Sequence, residues 1–256
     1  MADPAIALLG YRFSVYTRIV RLVLAEKGLR YGYTEIDPFL PELPCGYEDL
    51  HPFGRVPVLV HDGFTLYETA AIARYLDKRF PDPALTPDTP EAVARMQQVI
   101  GIVDSYGYRA LVRQVFSHLV FRPLQGAASS ADEVAQGLRE SRRVLRALET
   151  IAREGLVLDG ETPSLADFHL APMIDYFIRP QEGAAILHPR IFADATAEPH
   201  SLNLYFDRAI AAGRLFGRVM RGHWITVGTP DAIAPAEAAV ARYSGSGFSG
   251  PGFPDR

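Results

Sequence analysis

His51-Pro52-Phe53-Gly54-Arg55-Val56-Pro57-Val58-Leu59-Val60-His61-Asp62-Gly63-Phe64-Thr65-Leu66-Tyr67-Glu68-Thr69 is the stretch on which the fold turns. Two short apolar runs, Val56 to His61 and Phe64 to Tyr67, flank Asp62-Gly63. That dipeptide is a strong hairpin signal, because a tight turn between twisted strands needs positive φ at both central positions. Pro57 at the head of the first run is odd unless its missing N–H is useful, since a ladder normally wants that donor. Glu68-Thr69 then opens a helical pattern, with Ile72, Tyr75, Leu76 and Phe80 on one face. The stretch reads as strand, turn, strand, helix.

Upstream, Ala5 to Leu9 reads as a buried strand and Gly10 to Ser14 as a loop. Val15, Ile19, Val20, Val23 and Leu24 recur at helical spacing, and Lys27-Gly28 supplies a basic last turn and a C-cap. Tyr31 to Ile36 reads as a second strand. Strand, helix, strand in so short a span is a right-handed βαβ unit with parallel strands. A βαβ unit followed by ββα is the thioredoxin-like arrangement, a four-stranded mixed sheet.

Downstream, Pro81-Asp82-Pro83 ends the helix, and a stretch rich in Pro, Asp and Thr runs to Pro90. Strand signals then stop. Thr89-Pro90-Glu91 is a helix start with N-cap, Pro at the first position and an acid in the first turn. Val93, Met96, Ile100 and Val103 continue one long helix, Gly126 to Ser130 is a loop, and Val134, Leu138, Leu145, Leu148 and Ile151 mark a second. A third helix begins at Ser164, and Leu202 to Val219 marks at least one more. The expected organisation is a thioredoxin-like domain at 1–82, a linker at 83–90, an all-helical domain at 91–227 and a Gly/Pro/Ser-rich, poorly ordered tail at 228–256. The fold class is α/β plus all-α.

Composition excludes several functions. The chain has 256 residues with 48% apolar and 22% charged, an ordinary globular balance. A net charge of −4 gives no basic field for nucleic acid. No apolar run approaches the roughly 18 residues of a membrane helix, and no signal segment follows the acidic Met1-Ala2-Asp3-Pro4. One cysteine, Cys45, allows neither an internal disulfide nor a cysteine-based metal site, which points to a reducing cytoplasm. The seven histidines show no metal-ligand spacing, so no metal is expected. Only Lys27 and Lys78 are lysines among 26 basic residues, a bias that suggests a GC-rich bacterial genome.

Four signatures in order carry a resemblance. They are Ser14-Val15-Tyr16-Thr17-Arg18-Ile19-Val20-Arg21-Leu22, then His51 to Leu59, then Leu66-Tyr67-Glu68-Thr69-Ala70-Ala71-Ile72, and lastly Ser164-Leu165-Ala166-Asp167. Over roughly residues 5 to 225, the chain resembles the soluble glutathione transferases, as a serine-type bacterial member. The resemblance implies glutathione as co-substrate, an electrophilic and largely apolar small molecule as partner, a role in detoxification and a homodimer. It also implies a cis bond before Pro57, which would turn the N–H and C=O of Val56 toward an extended peptide.

Each position has a chemical reason. Helix N-termini offer free N–H groups and a positive dipole end, so the Thr69 hydroxyl and N–H suit a carboxylate. Glu68 beside it suits an ammonium, and the two charges together are the γ-glutamyl end of glutathione. The bland alternative is an ordinary capped helix start. Arg55 brings a cation to the same groove, for the glycyl carboxylate or for solvent. His51, where the family commonly has Asn, reads as structural, and Cys45 as an incidental thiol. The resemblance makes Ser14 the catalytic residue, seven positions before the family's Arg, here Arg21. Its hydroxyl would donate to the glutathione thiolate, whose free pKa is about 8.5. Val15 replaces the family's usual Pro, and Tyr11, Tyr16 and Thr17 are alternative donors. Ser164 and Asp167 form a structural capping box. Tyr106 or Tyr108 is expected to line the second-substrate pocket, and the sequence assigns no role to residues 178–202.

Overall fold

A computed structural model describes residues 6–160 and 162–187. The expected helix over Leu202 to Val219, most of the 178–202 segment and the 228–256 tail lie outside the described residues.

Strand β1 is Ile6–Gly10, β2 Gly32–Glu35, β3 Val58–His61 and β4 Phe64–Tyr67. They form one sheet in the order β2-β1-β3-β4, with β1 parallel to β2 and antiparallel to β3, and β3 antiparallel to β4. This is the thioredoxin-like mixed sheet. β3 begins two residues later than the apolar run, because Pro57 has no N–H for a ladder; the Val56–Pro57 bond is cis. Asp62 and Gly63 both take positive φ, 49° and 82°, as the hairpin turn requires.

Helix α1 is Val15–Glu26, α2 Tyr47–Leu50 and α3 Thr69–Arg79. Ile19, Val20, Val23 and Leu24 of α1 and Ile72 and Leu76 of α3 are fully buried. The two helices pack on each other, and α1 also packs on the helical half. Gly10 lets α1 approach β1 closely, since a Cβ there would lie 2.4 Å from Thr17 Cγ2.

The helical half starts at α4, Pro90–Ile102, with the Thr89 hydroxyl accepting from Ala92 N–H at 3.3 Å. The rod continues through Val103–Phe121, where the turn widens to the i→i+5 register, and ends in α5, Arg122–Leu124. Helical period alone does not reveal that widening. Then come α6 (Ala131–Ala152), α7 (Leu165–Phe177) and α8 (Gln181–Leu187). One continuous core runs from Leu8, Ile19 and Ile72 through Met96, Leu111 and Leu148 to Met173 and Phe177.

Two features hold the halves together. Asp167 accepts from both the N–H and the hydroxyl of Ser164, each at 2.9 Å, and Leu165 N–H donates to Leu85 O at 2.9 Å. The Ser164–Asp167 box thus docks α7 on the linker. The second feature corrects an expectation. Lys27, expected as a basic residue in the last turn of α1, is its C-cap instead and is buried, and its Nζ meets Asp77 Oδ1 at 2.7 Å and also donates to Pro83 O. Asp77 in turn accepts from Leu85 N–H at 2.9 Å and from the Thr86 hydroxyl at 2.6 Å. Burial pushes the Asp77 pKa up, but the hydrogen bonds from Lys27, Thr86 and Leu85 outweigh it and hold the group below its ordinary value.

Candidate functional site

Strand register assembles the site. Leu9 pairs with Val58, and Val58 pairs with Tyr67. The residues just past these pairs therefore share one end of the sheet: the loop from Gly10 to Ser14, the turn at Val56–Pro57, and Glu68–Thr69. That end is the carboxyl end of β1 and β2, where open α/β sheets present their crevices.

Ser14 is the N-cap of α1, half-buried, with its Oγ accepting from Thr17 N–H at 3.3 Å. This bond uses an oxygen lone pair and leaves the hydroxyl hydrogen free to donate. Thr17 is fully buried, and its hydroxyl accepts from Tyr11 N–H at 3.2 Å, so it braces the loop from beneath. Tyr11 is buried, and burial first, then Asp37, push its pKa up, so it stays a protonated donor. Tyr16 is likewise pushed up, by burial, Asp104, Tyr108 and Glu68, in that order.

At the opposite rim, Val56 is engaged by no turn or ladder hydrogen bond among the described residues. The Tyr47 hydroxyl donates to Arg55 O at 2.6 Å, which holds the backbone just before that turn. Burial raises the Tyr47 pKa to about 12, so it keeps its proton. The Arg55 side chain is exposed.

Glu68 is not an ordinary capping acid. It is the N-cap of α3 at φ 69° and ψ 114°, and its side chain makes no capping hydrogen bond. Non-glycine residues held at positive φ tend to mark functional sites. Glu68 is exposed and Thr69 is 6% exposed at the first turn of α3. Behind them lies His51, 2% exposed, with its ring 4.7 Å from Tyr67 and its Nδ1 accepting from Phe53 N–H at 3.4 Å. Burial lowers the His51 pKa, partly opposed by the Glu68 charge, so the ring is neutral packing.

Sequence reasoning missed an aromatic wall. Tyr11 meets Phe13 edge-on at 5.5 Å and Phe39 at 5.9 Å, and Phe13 meets Phe121 at 5.7 Å. Phe13 is 42% and Phe39 74% exposed, although both are large apolar rings. Tyr176 fixes the loop by donating to Phe13 O at 3.1 Å. Phe13 adjoins Ser14 in sequence, and that adjacency was the available signal. Phe39 and Phe121 lie far from it along the chain. Tyr106 is 65% exposed and takes no part in the wall. Tyr108 leans on Tyr16, with ring centroids 5.1 Å apart. Cys45 is exposed and free. Among the described residues no cluster of His, Cys, Asp or Glu is disposed to hold a metal, and no helix is long and apolar enough to cross a membrane.

The glutathione S-transferase N-terminal domain model matches residues 13–79. Glutathione S-transferase 1 of Dianthus caryophyllus is 30% identical over 158 residues, which cover 60% of this chain and 69% of that protein. The chain belongs to the glutathione S-transferase family. Glutathione S-transferase F14 of Arabidopsis thaliana is 34% identical over 161 residues, 61% of this chain. The match spans 63% of that relative's own length, a little under two thirds. A stringent starvation protein A homolog of Pasteurella multocida (strain Pm70) is 29% identical over 168 residues, 65% of this chain and 72% of that one. Among solved structures, apo glutathione S-transferase III superposes with a TM-score of 0.63 at 26% identity, covering 84% of this chain and all of that one. The fold of that structure is thus shared over both the mixed sheet and the helical half.

Proposed function

We propose that the chain is a glutathione transferase that conjugates the glutathione thiolate to an electrophilic, largely apolar small molecule. One observation carries the reading: the register of β1, β3 and β4 gathers a helix-capping hydroxyl, an unengaged extended backbone and an uncommitted acid at a helix start. Those groups match, in order, a thiolate, a peptide backbone and the γ-glutamyl end of one tripeptide.

In this reading Val56 pairs with the cysteinyl backbone of glutathione as an added strand. Glu68 takes the α-ammonium, while the Thr69 hydroxyl and N–H at the α3 start take the neighbouring carboxylate. Arg55 faces the glycyl carboxylate. The thiol then lies at the α1 N-terminus. Its proton leaves to water, and the thiolate is held by the Ser14 O–H and the positive helix end. The thiolate sulfur attacks the electrophilic carbon, and the electron pair goes to the leaving group or to the activated bond. Tyr11, Phe13, Phe39 and Phe121 form the apolar surface that holds the second substrate near the sulfur. A cytoplasmic homodimer completes the reading, and light scattering giving a monomer mass at micromolar concentration would reject the dimer.

A second reading is a glutathione-transferase-like binding or assembly module without turnover. The likeness to stringent starvation protein A homologs, which are not named for a transferase activity, favours it. Two measurements on one preparation separate the readings: retention on immobilised glutathione, and conjugation of glutathione to an aryl halide followed by absorbance. The transferase reading expects both. Retention without conjugation leaves the binding module, and neither result rejects both readings.

A further inference from the structure

A cavity of about 580 Å³ opens beside the widened helix. Its walls are Tyr108, Arg109, Arg113, Gln114, Ser117, His118, Arg122 and Glu133. The lining thus holds three arginines against one acid, on a chain whose net charge is −4. The chain as a whole does not attract anions, so any anion held here would be held by these local groups.

Four polar groups of the wall are fixed in place by hydrogen bonds: Gln114, Glu133, His118 and Arg122. Gln114 is 2% exposed, and its Nε2 donates to Glu133 Oε2 at 2.9 Å, which commits that acid to the wall. His118 Nδ1 accepts from Ser130 N–H at 2.9 Å, which leaves its other ring nitrogen as the one that carries the hydrogen when neutral. Arg122 Nε donates to Ala128 O at 2.7 Å, which anchors its guanidinium and leaves the terminal nitrogens free of that bond. Arg109 and Arg113, one turn apart, make no ion pair or hydrogen bond among the described residues. Planar guanidinium groups in this setting match oxyanions in geometry as well as charge. The volume lies in the range of small-ligand pockets, roughly 300–1,000 Å³.

We infer that this cavity binds a small polyanion carrying two oxyanion groups, held by Arg109 and Arg113 with Arg122 and Ser117 as further donors. The inference rests on Arg109, Arg113, Arg122 and Ser117, none of which the transferase reading uses, so a failure of one can be told from a failure of the other. Concavity favours a small molecule over the flat acidic surface of another protein.

The test is calorimetric titration of the full chain with inorganic pyrophosphate at low ionic strength, in metal-free buffer. Saturable one-to-one binding is expected. The double variant R109Q/R113Q should weaken it at least about tenfold, since two charge-assisted bonds are lost. R74Q/K78Q removes two exposed charges from α3 and should leave the affinity unchanged within about twofold. Thermal unfolding of both variants checks that the fold is retained. Absence of saturable binding by the native chain would overturn the inference. Equal weakening by the two double variants would also overturn it, because bulk charge would then be the cause. So would unchanged pyrophosphate affinity in R109Q/R113Q accompanied by a change in oligomeric state, which would assign the arginines to a protein contact.

Discussion

Replacing Asp77 by Ala strips the partner from a buried ammonium. The Lys27 side chain is completely buried, and Nζ would keep only the Pro83 carbonyl. Leu85 N–H and the Thr86 hydroxyl would lose their acceptor in the same step. Removing one member of a buried, hydrogen-bonded ion pair costs about 3–5 kcal/mol, because an uncompensated charge stays behind. The two neutral bonds would add about 1 kcal/mol each if independent, but they share the carboxylate, so the larger range already contains them. With a urea slope near 3 kcal/mol/M, the midpoint should fall by about 1–2 M. The reverse design sharpens the test. Lys27→Met with Asp77→Leu replaces the pair by apolar volume and should recover most of the loss, since desolvating two charges is itself expensive. Acidity gives a third reading. The folded Asp77 pKa lies below its unfolded value, so its contribution is complete above the unfolded value of 3.8 and is lost as pH falls through the folded pKa. The stability gap between native and D77A should therefore narrow only in strong acid. A D77A cost under about 1 kcal/mol, the scale of an exposed pair, would refute the clamp.

Glu68→Ala should weaken glutathione binding by about 1.5–3 kcal/mol by calorimetry, the scale of a hydrogen bond to a charge, and unchanged affinity would count against the γ-glutamyl assignment. Ser14→Ala should leave affinity nearly intact but raise the pKa of the bound thiol by about one to two units, read from thiolate absorbance against pH; matching titration curves would move the role to Tyr11, Tyr16 or a backbone amide. The same variant should cost about 1 kcal/mol in urea unfolding, because the N-cap to Thr17 N–H goes with the hydroxyl. Phe13→Ala should raise KM for an apolar aryl electrophile with little change in KM for glutathione, and equal changes in both would place the wall outside the second-substrate surface.

Local signals carried the elements. The Asp62-Gly63 turn, the Thr89-Pro90 start and the Ser164–Asp167 box all declare themselves within a few residues, because turns and caps are satisfied by near neighbours. The order of those elements was enough to indicate the fold, and the family resemblance they carry nominated Ser14, Val56 and Glu68. Tertiary structure decided what distant residues do for one another. Nothing near Lys27 in sequence shows that Asp77 and Pro83 will close over it, and burial turns that lysine into a clamp. Phe39 and Phe121 meet Tyr11 and Phe13 only when the sheet and the widened helix come together. Nothing local in the sequence marks Arg109, Arg113 and Arg122 as neighbours; the helix over Val103–Phe121 and the start of α6 place them around one cavity. Periodicity reports which face of an element is apolar, but it carries no information about which element that face will meet.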